Sequence, residues 1–160
     1  MSEPGKQSTE NTVRKGSIAL MGRFDRTLDP KKRLTIPSVW RDALGPDCVY
    51  VMPDTQRPCL QLIPKDMMES RLEELKKQPI SSAELNALLD AIGENSEMLE
   101  FDVQGRIRIS DRLLAYAKLK GAVVMKGAVP MATIWPAEET PAESAVDVAK
   151  LGAAMAKLQF

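Results

Sequence analysis

The chain has 160 residues, of which 44% are hydrophobic and 28% are charged, which is usual for one globular domain with tails. It contains no histidine, and its two cysteines, Cys48 and Cys59, are not in a CxxC motif. The commonest general base and the usual zinc ligand sets are therefore missing. Since there is also no glycine-rich phosphate loop and no nucleophile elbow, we expect no enzyme activity, no metal and no cofactor.

The start of the chain is polar, and the apolar runs are far shorter than a membrane span. These features predict a cytoplasmic protein that has no contact with a membrane. In that compartment both thiols stay reduced, and we expect the two cysteines to be small buried apolar side chains.

The net charge is zero, but it is unevenly distributed along the chain. The segment Asn11–Arg41 has eight basic residues against two acidic ones, and Phe101–Lys120 has five against two. The intervening segment Lys65–Glu100 has four basic residues against nine acidic ones. Because salt screening keeps electrostatic effects local, this pattern allows a basic face on a neutral protein.

Composition and apolar periodicity divide the chain into three parts. The polar start predicts a disordered extension, and Val148, Leu151, Met155 and Leu158 share one face of a helix near the end. The predicted segments are a disordered extension at 1–17, a folded domain at 18–136 and, at 137–160, a linker with a C-terminal amphipathic helix. The folded domain consists of units at about 20–65 and 95–136, with a helical pair at 66–92 between them.

The two units are copies of one pattern. At a constant offset, the segment Leu28–Met52 aligns with Phe101–Met125, and Cys59–Pro64 aligns with Met131–Pro136 one deletion later. Each unit predicts a strand, a tight turn, a second strand, a short helix and a hairpin. The identical pairs are Asp29/Asp102, Arg33/Arg106, Ile36/Ile109, Val51/Val124 and Met52/Met125.

Helix boundaries follow from capping residues. The two short helices are predicted to start near Pro37 and at Ser110, and to end at Gly45 and Gly121. The central pair is predicted at Asp66–Lys77 and at Ser81–Ile92, the second of which opens with a capping box.

The tight turns are the first candidate functional feature. Asp-Val-Gln-Gly at 102–105 favours a type I turn in which the glycine takes a positive φ, and Asp-Pro-Lys-Lys at 29–32 places proline at the second position. Each aspartate can accept backbone hydrogen bonds across its turn. The turn-structuring residues are therefore Asp29, Pro30, Asp102 and Gly105.

An arginine follows each turn and begins a strand whose next residue is apolar, so the arginine side chain is predicted to lie on the polar face. A guanidinium beside a rigid turn can bind phosphates or the edge of a guanine, and lysines at the tip neutralise phosphate. The predicted DNA-binding residues are Lys31, Lys32, Arg33, Arg106 and Arg108. An alternative interpretation makes Asp29–Arg33 and Asp102–Arg106 internal ion pairs that pin the hairpins, and the two roles are compatible.

The segment MGRFDRTLDPKKRLTIPSVWR (Met21–Arg41) resembles the N-terminal signature of the MraZ family, of the AbrB-like swapped-hairpin superfamily. FDVQGRIRI (Phe101–Ile109) is similar to the second repeat of that family, and TIWP (Thr133–Pro136) to its closing motif. The chain departs from the family pattern at Lys32, where glycine is usual, and at Ser110, where proline is common.

The resemblance implies an α+β fold in which two tandem AbrB-like units interlock into a small β-barrel with flanking helices. It also implies a ring-like homo-oligomer that binds double-stranded DNA, associates with the nucleoid and controls transcription of the cell-wall and division gene cluster. The DNA contact of the family corresponds to Arg33 and, in the second repeat, to Arg106.

Two alternatives stay open besides this regulator. One is an oligomeric structural or interaction protein of the same fold that does not bind DNA. The other is an antitoxin-like protein whose tail wraps a toxin, which the duplication within one chain disfavours.

Overall fold

The computed structural model describes residues 20–139 and 146–159. The predicted extension at 1–17 and most of the linker after residue 139 lie outside these residues. Eight strands and five helices alternate along the described chain. They are β1 (Arg23–Thr27), β2 (Arg33–Thr35), α1 (Ser38–Leu44), β3 (Cys48–Pro53), β4 (Leu60–Pro64), α2 (Lys65–Lys76), α3 (Ser82–Asn95), β5 (Glu97–Glu100), β6 (Arg106–Arg108), α4 (Asp111–Ala117), β7 (Ala122–Ala128), β8 (Met131–Pro136) and α5 (Val148–Leu158), with a 3₁₀ turn at Ala137–Glu139.

The strands form two antiparallel sheets, so the α+β class is confirmed. The larger sheet has six strands in the order β1-β7-β8-β4-β3-β5, and β2 pairs with β6 as a separate two-stranded ribbon. The predicted small β-barrel is not confirmed, because the larger sheet is not closed and has β1 and β5 as its outer strands. The short strands β2 and β6, of three residues each, pair with each other and do not join β1 to β5.

The two repeats exchange strands, while the hairpins β3–β4 and β7–β8 each stay within one repeat. Strand β1 of the first repeat pairs with β7 of the second, and β5 of the second pairs with β3 of the first. The sheet order reads the same when the repeats are exchanged, and the repeat-equivalent residues Leu34 and Ile107 face each other in the ribbon. The exchange gives the chain a pseudo-twofold arrangement that brings the two predicted turns to one ribbon.

The core is aliphatic and lies beneath the ribbon and the larger sheet. Leu34 and Ile107 are fully buried, as alternation predicts for the inner face of a strand. Trp40 is also fully buried, packs edge-to-face against Phe24 at 5.2 Å between ring centroids, and donates its Nε1–H to the carbonyl of Met21 at 2.8 Å. The helix that carries Trp40 is thereby fixed against β1 and the residues that precede it.

Both predicted starts of the short helices lie within one residue of the observed helices, but one predicted end is wrong. Gly45 caps α1 with φ 113°, as expected. Helix α4 ends at Ala117, well before Gly121, because Lys118 takes the left-handed conformation with φ 57°. Its turn lets Leu119 donate a backbone hydrogen bond to Leu114 at 2.9 Å and enter the core.

The remaining helices lie mostly at the surface. Helix α3 begins where the capping pattern predicts, and the Ser81 hydroxyl accepts from the backbone N–H of Glu84 at 3.1 Å. Helix α5 lies within the segment where a C-terminal helix is predicted, and its Leu151 and Leu158 side chains are 52% and 65% exposed. None of the described helices has the length and hydropathy needed to cross a membrane.

The two cysteines are buried and unpaired, as expected. Burial raises the pKa of the Cys59 thiol to about 11. A thiol in that state is a weak nucleophile, because little thiolate is present at neutral pH.

Candidate nucleic-acid interface

The β2–β6 ribbon arranges four polar residues on its outer face. Arg33 faces Arg108 across the antiparallel pair, and Thr35 faces Arg106. Arg108 is exposed, while Arg33 and Arg106 are partly buried. Three of the five predicted DNA-binding residues therefore lie within a single three-residue ladder.

Both turns have the same backbone geometry. The N–H of the fourth residue donates to the carbonyl of the first, from Lys32 to Asp29 at 2.8 Å and from Gly105 to Asp102 at 2.9 Å. The fourth residue has positive φ in each turn, 65° at Lys32 and 80° at Gly105. A lysine thus occupies a backbone conformation that glycine adopts in the second turn, at a cost of about 1 kcal/mol.

The two aspartates organise their turns through one oxygen each. Asp29 Oδ1 accepts from the backbone N–H groups of Lys31 at 2.9 Å and Arg33 at 2.8 Å. Asp102 Oδ1 does the same for Gln104 and Arg106, both at 2.9 Å. These bonds lower the pKa of each aspartate, mainly through the backbone N–H of the arginine that follows the turn.

The second oxygen of each aspartate binds the arginine side chain. Arg33 Nε donates to Asp29 Oδ2 at 2.6 Å, and Arg106 Nε donates to Asp102 Oδ2 at 2.7 Å. Arg106 Nη1 also lies 4.0 Å from Asp29 Oδ2 and links the two turns. Within the described residues, Nε is the only side-chain atom of Arg33 with a hydrogen-bond partner. The outer Nη edge of this guanidinium therefore stays available for a ligand.

The lysines at the first turn differ in their surroundings. Lys31 is exposed, and its carbonyl accepts from Arg108 Nε at 3.2 Å. Lys32 Nζ forms an ion pair with Asp111 at the start of α4, and this pairing is the main cause that lowers the pKa of the Asp111 carboxyl. Lys31 is thus a solvated cation, whereas the charge of Lys32 is already partly compensated.

Comparisons with known proteins identify the family of the chain. A family model described as "MraZ protein, putative antitoxin-like" matches residues 94–140. Relatives from Herminiimonas arsenicoxydans and Leuconostoc mesenteroides, both named transcriptional regulator MraZ, are 37% and 32% identical to the chain. The alignments cover 82% and 78% of this chain and 91% and 86% of those relatives, respectively. The chain belongs to the MraZ family.

A third MraZ relative, from Pseudomonas putida, is 33% identical over 78% of this chain and 85% of its own length. The family model, at residues 94–140, includes the second turn and strand β6 of the ribbon. Among residues 20–139 and 146–159, no three metal-ligating side chains lie together.

Two neighbours of the turns were not singled out in the sequence. Asp111, which pairs with Lys32, lies 79 positions away from it in the sequence, and its only sequence signal is a position next to the helix cap Ser110. Arg41 of α1 lies over the second turn, with its Cζ 4.2 Å from the centre of the Phe101 ring. Its repeat-equivalent residue is Leu114, and this mismatch within the repeat could have drawn attention to it.

Proposed function

We propose that the chain is a DNA-binding transcriptional regulator whose β2–β6 ribbon contacts double-stranded DNA. The observation that carries this proposal is the pair of adjacent turns, each with an arginine anchored through Nε. A guanidinium held on one side by a carboxylate presents its Nη edge in a fixed direction, which suits bidentate contact with guanine or phosphate. Lys31 and Arg108 are exposed beside it and supply phosphate contacts.

The proposed target is the set of repeated promoter sites ahead of the cell-wall and division genes, as the resemblance implies. One ribbon offers few contacts, so we propose that several copies assemble as a ring-like homo-oligomer and bind successive repeats together. The exposed apolar residues of α5 are suited to contacts between copies. This role places the protein in the cytoplasm, on the nucleoid.

A titration of the purified protein with DNA that carries the repeats, at several salt concentrations, tests the proposal. We expect tight binding at low salt and a steep loss of affinity as salt increases. Lys31→Gln is expected to reduce the salt slope by about 1. Arg71→Gln, which removes an exposed charge from α2, is the matched control and leaves binding unchanged. Absence of binding at low salt would refute the proposal.

A second candidate function is an oligomeric scaffold that does not bind DNA. The observation in its favour is that Asp29, Asp102 and Asp111 each pair with one of the cations of the ribbon. Light scattering with and without DNA separates the two functions. The scaffold predicts an oligomer whose mass does not change when DNA with spaced repeats is added.

A further inference from the structure

The two turns differ in one charged side chain. In the first turn, the residue with positive φ is Lys32, whose side chain lies beside Leu114 of α4 in an open groove. In the second turn the equivalent residue is Gly105, which has no side chain. The second turn therefore lacks its own counterpart of Lys32.

A side chain from the other repeat fills this space. A Cβ placed on Gly105 would overlap the Nη1 atom of Arg41, which extends from α1 of the first repeat. The guanidinium lies over the Phe101 ring. At the first turn the repeat-equivalent residues of Phe101 and Arg41 are Leu28 and Leu114, which line one groove. Arg41 thus occupies, over the second turn, the volume that the Lys32 side chain begins to occupy over the first.

The charge of Arg41 is not compensated locally. Within the described residues, its Nε is buried without a hydrogen-bond partner, and no salt bridge involves this arginine. The aromatic face holds the guanidinium by a cation–π contact without neutralising it. By contrast, Lys32 at the first turn is paired with Asp111. The positive charge over Gly105 therefore adds to the potential at the second turn.

We propose that Arg41 supplies the second turn with the positive charge that Lys32 supplies to the first, and so attracts phosphate to the exposed residues Val103 and Gln104. The proposal rests on the DNA-binding function proposed above. It adds a sixth cation to the interface, delivered across the boundary between the repeats. A side chain at position 105 would have to displace the guanidinium, in addition to adopting the positive φ of 80°.

Two variants test this assignment. Arg41→Leu copies the Leu114 of the first repeat and keeps an apolar contact with Phe101. The double variant Arg41→Leu/Gly105→Lys moves the charge onto the turn itself, at a φ that Lys32 already adopts. We expect Arg41→Leu to bind repeat DNA several-fold more weakly with a salt slope reduced by about 1, and the double variant to restore both. Arg41→Lys, which keeps the charge, is expected to stay close to the parent protein.

The electrostatic potential at the second turn can be measured without DNA. Relaxation of the Val103 and Gln104 amide protons by charged and neutral nitroxide cosolutes reports this potential by NMR. We expect it to fall in Arg41→Leu and to recover in the double variant, even if the parent protein binds no DNA and the proposed function fails. Unchanged potential in Arg41→Leu would overturn the inference. The inference would also be overturned if Arg41→Leu weakened DNA binding and the double variant Arg41→Leu/Gly105→Lys did not restore it. That result would indicate that the role of Arg41 is purely structural.

Discussion

At the residue scale, the arginine after each turn fastens that turn through Nε, which donates to the aspartate. The Nη atoms of Arg33 have no hydrogen-bond partner among the described residues and can contact a ligand, whereas Arg106 Nη1 lies 4.0 Å from Asp29 Oδ2. A lysine can reproduce the charge, but its single ammonium nitrogen cannot bind the aspartate through one nitrogen and a ligand through others. The two roles weighed from the sequence, internal ion pair and DNA contact, are therefore both geometrically possible for Arg33.

Arg33→Lys should affect sequence selectivity more than general DNA affinity. The expected loss is about 1–3 kcal/mol on the preferred site, with a much smaller loss on unrelated DNA of the same length. Competition titrations with the two DNAs measure the ratio. Lys31→Arg, which keeps a charge at an exposed position, is the control. Equal losses on both DNAs would assign Arg33 to phosphate contact only.

Asp102 should make the stability of the protein depend on acid pH. Its pKa in the folded state is below the ordinary value of 3.8, mainly because it accepts the backbone N–H of Arg106. A depressed pKa contributes stability above the unfolded-state pKa, and this contribution is lost as the pH falls through the folded-state pKa. Urea unfolding between about pH 5 and pH 2 should therefore show a smaller change for Asp102→Asn than for the parent protein.

Asp90→Asn, on the exposed helix α3, is the control for this measurement. If Asp102→Asn and the parent protein lose stability in parallel across that range, the turn carboxylate does not contribute as the geometry indicates.

The sequence predicted the local turn geometry well, because an Asp-x-x-Gly pattern specifies its own hydrogen bonds. It did not predict the Lys32–Asp111 or Arg41–Phe101 contacts. These contacts join helices to turns in the other repeat, and no local pattern records such a pairing. From the sequence alone, Arg41 is an ordinary solvated residue of a short helix. Only the fold shows that its guanidinium lies over Gly105.

At the element scale, the sequence specified which segments form strands and helices but not which strands pair. Alternation and capping residues act within about ten residues of chain, and they located the ribbon strands and the caps at Ser81 and Ser110. Strand pairing and sheet closure depend on long-range packing. For this reason the α+β class is confirmed, whereas the small barrel implied by the family resemblance is not.

Residues 20 and 21 cross β7 so closely that the stability of the protein should depend on a glycine in that strand. A Cβ on Gly127 would collide with backbone atoms of Leu20 and Met21, which cannot move without disturbing β1. Gly127→Ala should therefore lower the free energy of unfolding by about 1–3 kcal/mol.

Gly93→Ala is the matched control, because open space surrounds Gly93 within helix α3. It should raise the stability by about 0.5–1 kcal/mol. Chemical denaturation of both variants measures the difference, and equal effects would contradict the close approach at Gly127.

At the scale of the whole molecule, the working unit we propose is an oligomer. Helix α5 exposes the apolar side chains of Leu151 and Leu158 to solvent. Exposed apolar side chains on one helix face are typical of a surface that contacts another protein chain. Leu151→Glu/Leu158→Glu should reduce the mass measured by light scattering and weaken binding to repeated sites. Binding to a single site should change much less, because only the linkage between contacts is lost.

Lys150→Gln/Lys157→Gln lowers the net charge of the same helix by the same two units and keeps its leucines, so it controls for charge. Retention of the full oligomer in the leucine variant would assign the contacts between copies to another surface.

The exchange of strands also constrains how the chain can reach its native state during synthesis. When the first repeat leaves the ribosome, β1 lacks its partner, since among the described strands it pairs with β7, near the end of the folded region. Strand β2 likewise cannot form its ladder until β6 has been synthesised. The first repeat cannot complete its fold until most of the second has been translated, so the two copies mature together in one late step. A half-length product would expose unpaired strand edges, which favour aggregation.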